Sequence, residues 1–126
     1  MPRVSHGNLF QTLLSNVAEV KFTRRRQFPN LPPIRRMLCT NSMQLLGSVN
    51  GRIVLNYRPP TNVPNYNPAE KNLIITWDVL MQDFRTINVD SCELVKSYPA
   101  NDEFWQVFNE TFFPMSQQQK IHFMAS

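Results

Sequence analysis

Prolines limit what this chain can fold into more than any other feature. Ten occur in 126 residues, three of them within residues 29–33 and four within residues 59–68. Because proline fixes φ and lacks a backbone N–H donor, neither segment can continue a helix or a central strand. Both segments are therefore predicted to be loops, the first with polyproline-like geometry around residues 31–33.

The residues before the first proline segment predict a helix followed by a strand. Apolar residues recur at helical spacing from about residue 8 to 18, where Asn8 and Gln11 resemble a capping box. From Glu19 to Thr23 apolar and polar residues alternate, which is typical of a half-buried strand.

The middle of the chain predicts further strands. Asn50-Gly51 suits a type I′ hairpin turn, and such a hairpin would place Arg52 and Arg58 on a face away from the core. Residues 72–77 form a continuous apolar run, as expected of a strand covered on both faces. Residues 78–95 predict two more strands, with the turn between them at Gln82-Asp83.

Two C-terminal helices are indicated by their capping residues. Asn101 is suited to cap the first helix and Pro114 to end it. Ser116 and Gln119 form a capping box for the second helix. The predicted fold is α+β and a single domain over residues 1–126: a short N-terminal helix, an antiparallel sheet of about five strands, and two C-terminal helices packed on it.

Charge is distributed unevenly along the chain. Residues 1–60 carry nine basic side chains and one acid, a net +8, whereas residues 61–126 carry four basic side chains and eight acids, a net −4. This asymmetry predicts a basic surface directed at a polyanion. It also allows head-to-tail self-association, with the positive half of one copy on the negative half of another.

The arginine segment, FTRRRQFPNLPPIRR at residues 22–36, is the main candidate binding site. Arginine suits phosphates and lipid headgroups because its planar guanidinium meets two oxygens at once. Phe28 could stack on an unpaired base or anchor the loop to the core. The alternative is a solvated loop, or one recognised by a nuclear import receptor. The candidate residues are Lys21, Arg24, Arg25, Arg26, Phe28, Arg35, Arg36, Arg52 and Arg58.

Aromatic residues crowd the first C-terminal helix. Five large aromatics lie within residues 104–113, which is more than one helical face can hold. Most of them are expected in the core, and the excess suggests a subunit interface, where aromatics are enriched. The candidate interface residues are Trp105, Phe112 and Phe113.

Catalytic signatures are weak. Cys39 and Cys92 are expected to be buried, reduced thiols, and no spacing typical of a metal site is present. Asp78, Asp83 and Asp90 could converge on a divalent metal, as nuclease carboxylates do. With three glycines in the chain, no phosphate-cradling loop is indicated. We expect no enzymatic activity and no cofactor.

The leading functional hypothesis is a self-associating viral structural protein, matrix-like or coat-like, that binds RNA or an anionic membrane. The alternatives are a soluble RNA-binding accessory protein, such as a suppressor of host defence, and a metal-dependent nuclease. A host or viral protein partner is also considered. Without a membrane-spanning apolar run or a signal-peptide pattern, we expect the protein in the host cytoplasm or nucleus, or in a virion.

Overall fold

The protein is an α+β fold, as predicted. The computed structural model describes residues 4–24, 29–61, 64 and 67–125. A five-stranded antiparallel sheet is combined with an N-terminal helix and C-terminal helices. The strands are β1 (Asn16–Thr23), β2 (Ile34–Thr40), β3 (Leu73–Asp78), β4 (Asp83–Asn88) and β5 (Glu93–Pro99). The helices are α1 (His6–Ser15), α2 (Met43–Leu46), α3 (Val49–Ile53), α4 (Asp102–Val107) and α5 (Gln117–Ala125).

The strand order is β4-β3-β2-β1-β5, so β2 lies at the centre of the sheet. β1 pairs with both β2 and β5, whereas the described pairing of β2 with β3 is confined to Cys39–Asp78 and Thr40–Trp77. The chain leaves β3 after Asp78, so the first residues of β2 extend beyond the end of β3. The apolar run predicted as an interior strand is β3, with β4 on one side and β2 on the other.

Apolar side chains cover both faces of the sheet. On one face, Leu9 and Leu13 of α1 pack with residues of all five strands or their connections. On the other face, Leu38 and Trp77 pack with aromatic residues from the C-terminal helices. Burying a large apolar side chain contributes about 1.5–3 kcal/mol, so these two layers are what hold the helices on the sheet.

Helix α1 begins and ends earlier than the sequence predicts. Ser5, rather than Asn8, is the N-cap, because the Ser5 Oγ accepts a hydrogen bond from the Asn8 backbone N–H at 3.2 Å. The helix ends at Ser15, and Asn16 is already extended at φ −138°. Residues 16–18 are extended because the hydrogen bonds of β1 with two neighbouring strands stabilise them more than one further helical turn would.

The hairpin predicted around Asn50-Gly51 is wrong, because residues 43–46 and 49–53 form the short helices α2 and α3. The Ser48 Oγ accepts from the Gly51 backbone N–H at 3.0 Å and caps α3. Gly51 is buried against the carbonyl oxygens of Leu45 and Leu46. The glycine therefore permits close packing of two helices and does not form a turn.

Two strands follow β3 as predicted, β4 and β5, but the turn predicted between them at Gln82-Asp83 is wrong. The chain turns before β4, and the short 3-10 helix Val89–Ser91 connects β4 to β5. Residues 79–82 form the turn, and Gln82 has a positive φ of 57°. The Asp78 Oδ1 accepts from the backbone N–H groups of Leu80 and Met81, at 3.0 Å each. Aspartate commonly initiates turns in this way, so Asp78 is the residue in the sequence that indicates the turn at residues 79–82.

The C-terminal capping predictions are confirmed. The Asn101 Oδ1 accepts from the Glu103 backbone N–H at 2.9 Å and caps α4. Ser116 and Gln119 exchange hydrogen bonds of 3.2 and 2.7 Å before α5. The sequence did not predict that α4 widens into a π-helical segment at Phe108–Phe112.

The two cysteines are free and buried, as predicted. Burial raises the pKa of both thiols, that of Cys92 to about 12, and the thiolate is the reactive form. We expect a thiol reagent such as DTNB to label neither residue in the native protein and both after denaturation. Rapid labelling of either thiol under native conditions would contradict the burial of these two side chains.

Candidate polyanion-binding surface

The end of the β1–β2 pair carries two adjacent cations. Lys21 of β1 lies directly opposite Arg36 of β2, and like charges in that position destabilise a sheet. The Arg36 Nη2 offsets this by donating to the Glu19 Oε2 at 2.8 Å. Lys21 has Glu93 as its register partner on β5. This end of the sheet therefore holds both cations close together, with the charge of Arg36 compensated by its ion pair with Glu19.

Arg24 directly follows β1 at the same end of the sheet. Its backbone N–H donates to the Pro33 carbonyl oxygen at 2.8 Å, and its Nε donates to the Pro32 carbonyl oxygen at 3.1 Å. These bonds hold Arg24 against the chain that returns to β2. The other candidate residues of this connection, Arg25, Arg26 and Phe28, lie outside the described residues.

Arg35 does not belong to the surface that the sequence predicted. β2 begins at Ile34, so Arg35 is in a strand rather than in a loop, and 7% of the residue is exposed. Its Nη2 donates to the Asp78 Oδ2, across the space beyond the end of β3. Desolvation by burial lowers the pKa of Arg35 and raises that of Asp78. Its assignment as a phosphate ligand is therefore corrected to a structural ion pair.

Arg36 also makes more contacts within the protein than predicted. Its guanidinium carbon lies 4.1 Å from the ring centroid of Phe123, and α5 covers β2 at this point. A cation over an aromatic face gains about 0.5–1 kcal/mol when partly exposed. The exposed fraction of the side chain is 28%, so Arg36 contributes to the margin of the basic surface and not to its centre.

Arg52 and Arg58 are exposed, but on other elements. Arg52 belongs to α3, and Arg58 follows it, so their predicted position on a strand face is wrong. The pKa of Asp83 is lowered chiefly by its hydrogen bond with Arg85 and to a smaller extent by the charge of Arg58. Arg58 is therefore within electrostatic range of Asp83 at the start of β4, a strand that lies three strand spacings or about 14 Å from β1.

The three central aspartates have separate partners. Asp78 is paired with Arg35, Asp83 with Arg85 at 3.0 Å, and the Asp90 Oδ1 accepts from Asn72 at 2.6 Å. Within the described ranges, no group of three His, Cys, Asp or Glu side chains is placed to hold a metal ion. The metal-dependent nuclease hypothesis finds no support in this geometry.

The candidate interface residues fall into different environments. Phe112 is 3% exposed and packs edge-on against Tyr98 and Phe123, so its interface assignment is corrected to a core position. Phe113 is 65% exposed. Trp105 is half-buried and lines a cavity between α4 and the α2–α3 segment. The sequence prediction could not identify this cavity, because it assigned the α2–α3 residues to a hairpin.

Comparison of the chain with protein-family models, with curated proteins and with solved structures finds no match. The functional argument therefore rests on the residues and contacts above. In the part of the chain that the structure describes, none of the helices has the length and apolarity needed to cross a bilayer.

Proposed function

We propose that this protein is a non-enzymatic RNA-binding protein that contacts phosphates through Lys21 and the arginine run, residues 24–26. One observation supports this most strongly. Residues 20–36 contain six cations and no acid, and the structure pairs two of them, Arg35 and Arg36, with acids from other strands. The remaining four are Lys21 and the arginine run, and Lys21 and Arg24 lie at one end of the sheet.

Single-stranded RNA suits this surface chemically. Arginine guanidinium groups hydrogen-bond phosphates in pairs and also stack on unpaired bases. Arginine supplies three of the four cations, and lysine could supply only the point charge. We propose a self-associating, coat-like or matrix-like role for this binding. An RNA-binding accessory role is the alternative, and the two differ in whether the protein assembles.

An anionic membrane is the second candidate ligand, favoured by one specific observation. Leu31 and Ile34 are 44% and 51% exposed in the segment that returns from the arginine run to β2. Exposed apolar side chains beside cations are typical of surfaces that contact lipid headgroups. The binding experiment therefore needs a lipid arm as well as an RNA arm.

The test replaces Arg24, Arg25 and Arg26 with Gln and measures binding to a short oligouridylate. The control replaces the exposed Arg52 and Arg58 with Gln. Each lost phosphate contact removes about 0.7 from the salt slope, so three lost contacts predict roughly hundredfold weaker binding at about 0.1 M salt. The control variant should bind nearly as tightly as the native protein.

The second arm uses vesicles of phosphatidylserine and phosphatidylcholine with the same proteins. RNA binding that depends on residues 24–26, without vesicle binding, supports the proposal. Vesicle binding alone would favour the membrane candidate. Failure of the native protein to bind either ligand at low salt would overturn both.

A further inference from the structure

A cavity of about 330 Å³ lies where the α2–α3 segment meets the start of α4. We call it the acidic pocket. Asp102 and the half-buried Trp105 form part of its wall. Gln44, Asn50 and Asn101 also line it. Among the described residues, no basic side chain contributes to the lining.

The chemistry of the acidic pocket suits a guanidinium group. A carboxylate accepts charge-assisted hydrogen bonds from arginine, and a tryptophan face attracts a cation more strongly than other aromatic rings do. The exposed Glu103 adds a second negative charge beside Asp102. Two carboxylates outweigh the positive end of the α4 dipole, which amounts to roughly half a charge.

The acidic pocket and Arg24 lie at opposite ends of β1. Asn16, the first residue of β1, is the register partner of Pro99, which directly precedes the pocket residues 100–102. Arg24 follows the last residue of the same strand. The strand has eight residues. Its length is therefore about 26 Å, which an arginine side chain cannot span. A molecule cannot place Arg24 in its own pocket, but a second copy can.

We propose that the acidic pocket receives an arginine of the run 24–26 from a second copy of this chain, so that copies associate head to tail. Asp102 and Glu103 at the pocket are acidic and the run is basic, and these opposite charges favour this orientation. Where each copy uses two different neighbours, the interface is heterologous and the assembly grows into rings or filaments. Where both contacts form between the same two copies, the assembly closes as a two-fold dimer.

The arginine run then serves two partners: one arginine enters the pocket of a neighbouring copy, and the other two contact RNA phosphates. RNA binding itself does not require the acidic pocket. A variant with a neutral pocket therefore separates the two proposals: it retains RNA affinity if the proposed function holds, whether or not copies associate.

The test uses two complementary variants in low salt, studied by sedimentation velocity. The run variant carries Gln at 24, 25 and 26 and keeps the pocket. The pocket variant carries Asp102→Asn and Glu103→Gln and keeps the run. A matched control carries Glu70→Gln and Glu110→Gln, which removes two exposed acids that do not line the pocket.

We expect the native protein and the control to form dimers or larger assemblies as the concentration rises, and each variant alone to stay monomeric. An equimolar mixture of the two variants should form heterodimers and stop, because it contains one working run and one working pocket. A mixture that stays monomeric would overturn the proposal. So would native monomers at every concentration, or a single variant that assembles as the native protein does.

Tryptophan fluorescence gives a second readout of the same interface. Trp77 is 1% exposed, so acrylamide quenching reports mainly on Trp105. Mixing the two variants should reduce quenching, because the incoming arginine covers the Trp105 ring. Heterodimers without reduced quenching would place the contact elsewhere and contradict the pocket assignment.

Discussion

Replacing Asp78 with Ala is expected to lower the free energy of unfolding by about 3–5 kcal/mol, because it leaves the charge of Arg35 buried without its partner. Asp78 is 1% exposed and Arg35 is 7% exposed. The substitution also removes the acceptor for the Leu80 and Met81 backbone N–H groups. Urea denaturation followed by circular dichroism measures the change.

A double variant separates the ion pair from general damage to the turn. Asp78→Asn keeps an acceptor oxygen for the turn, and Arg35→Met removes the charge while keeping an apolar side chain. We expect the combined variant to recover most of the stability lost in Asp78→Ala, since no uncompensated charge stays buried. A loss below about 1 kcal/mol in Asp78→Ala would show that the pair is solvated and would contradict its burial.

Replacing Gly51 with Ala is the second substitution with a large expected effect. A Cβ at this position would lie 2.1 Å from the Leu45 carbonyl oxygen and 2.7 Å from that of Leu46. Both are backbone atoms, so α2 and α3 must move apart, and we expect a loss of about 3 kcal/mol or more. Thermal or urea unfolding provides the measurement.

Two control substitutions show whether Gly51 acts through close packing or through a turn. Gly7→Ala in α1 meets nothing within 4 Å and should stabilise the protein by up to about 1 kcal/mol. Asn50 is exposed in α3, so Asn50→Ala should be nearly neutral, whereas a type I′ turn would lose its preferred residue. Substitutions to Ala that are costly at both Asn50 and Gly51 would support the hairpin instead, because both central positions of a type I′ turn need a positive φ.

Local signals predicted those parts of the fold that depend on neighbouring residues. Asn101 and the Ser116–Gln119 capping box bond to backbone groups within three residues, so their roles follow from the sequence alone. Gly51 shows the limit of such signals. Asn-Gly is compatible with both a turn and a helix packed at close range, and only the contact with α2 distinguishes them.

The binding site was only partly predictable because it, too, depends on contacts between residues that are distant in the sequence. Counting charges identified the arginine segment, but the counterion of Arg35 is 43 residues away and that of Arg36 is 17 residues away. No local pattern shows which cations a fold will pair. The acidic pocket was missed because it combines α2, α3 and α4, two of which the sequence assigned to strands.

The salt dependence of RNA binding tests the central claim most directly, because the slope counts the phosphates contacted. Lys21 and the arginine run provide four cations, which predicts a slope of about −3 for log K against log salt on single-stranded RNA. The variant with Gln at 24, 25 and 26 retains Lys21 alone and should give a slope near −0.7. A native slope near zero, or equal slopes for the two proteins, would contradict the proposed surface.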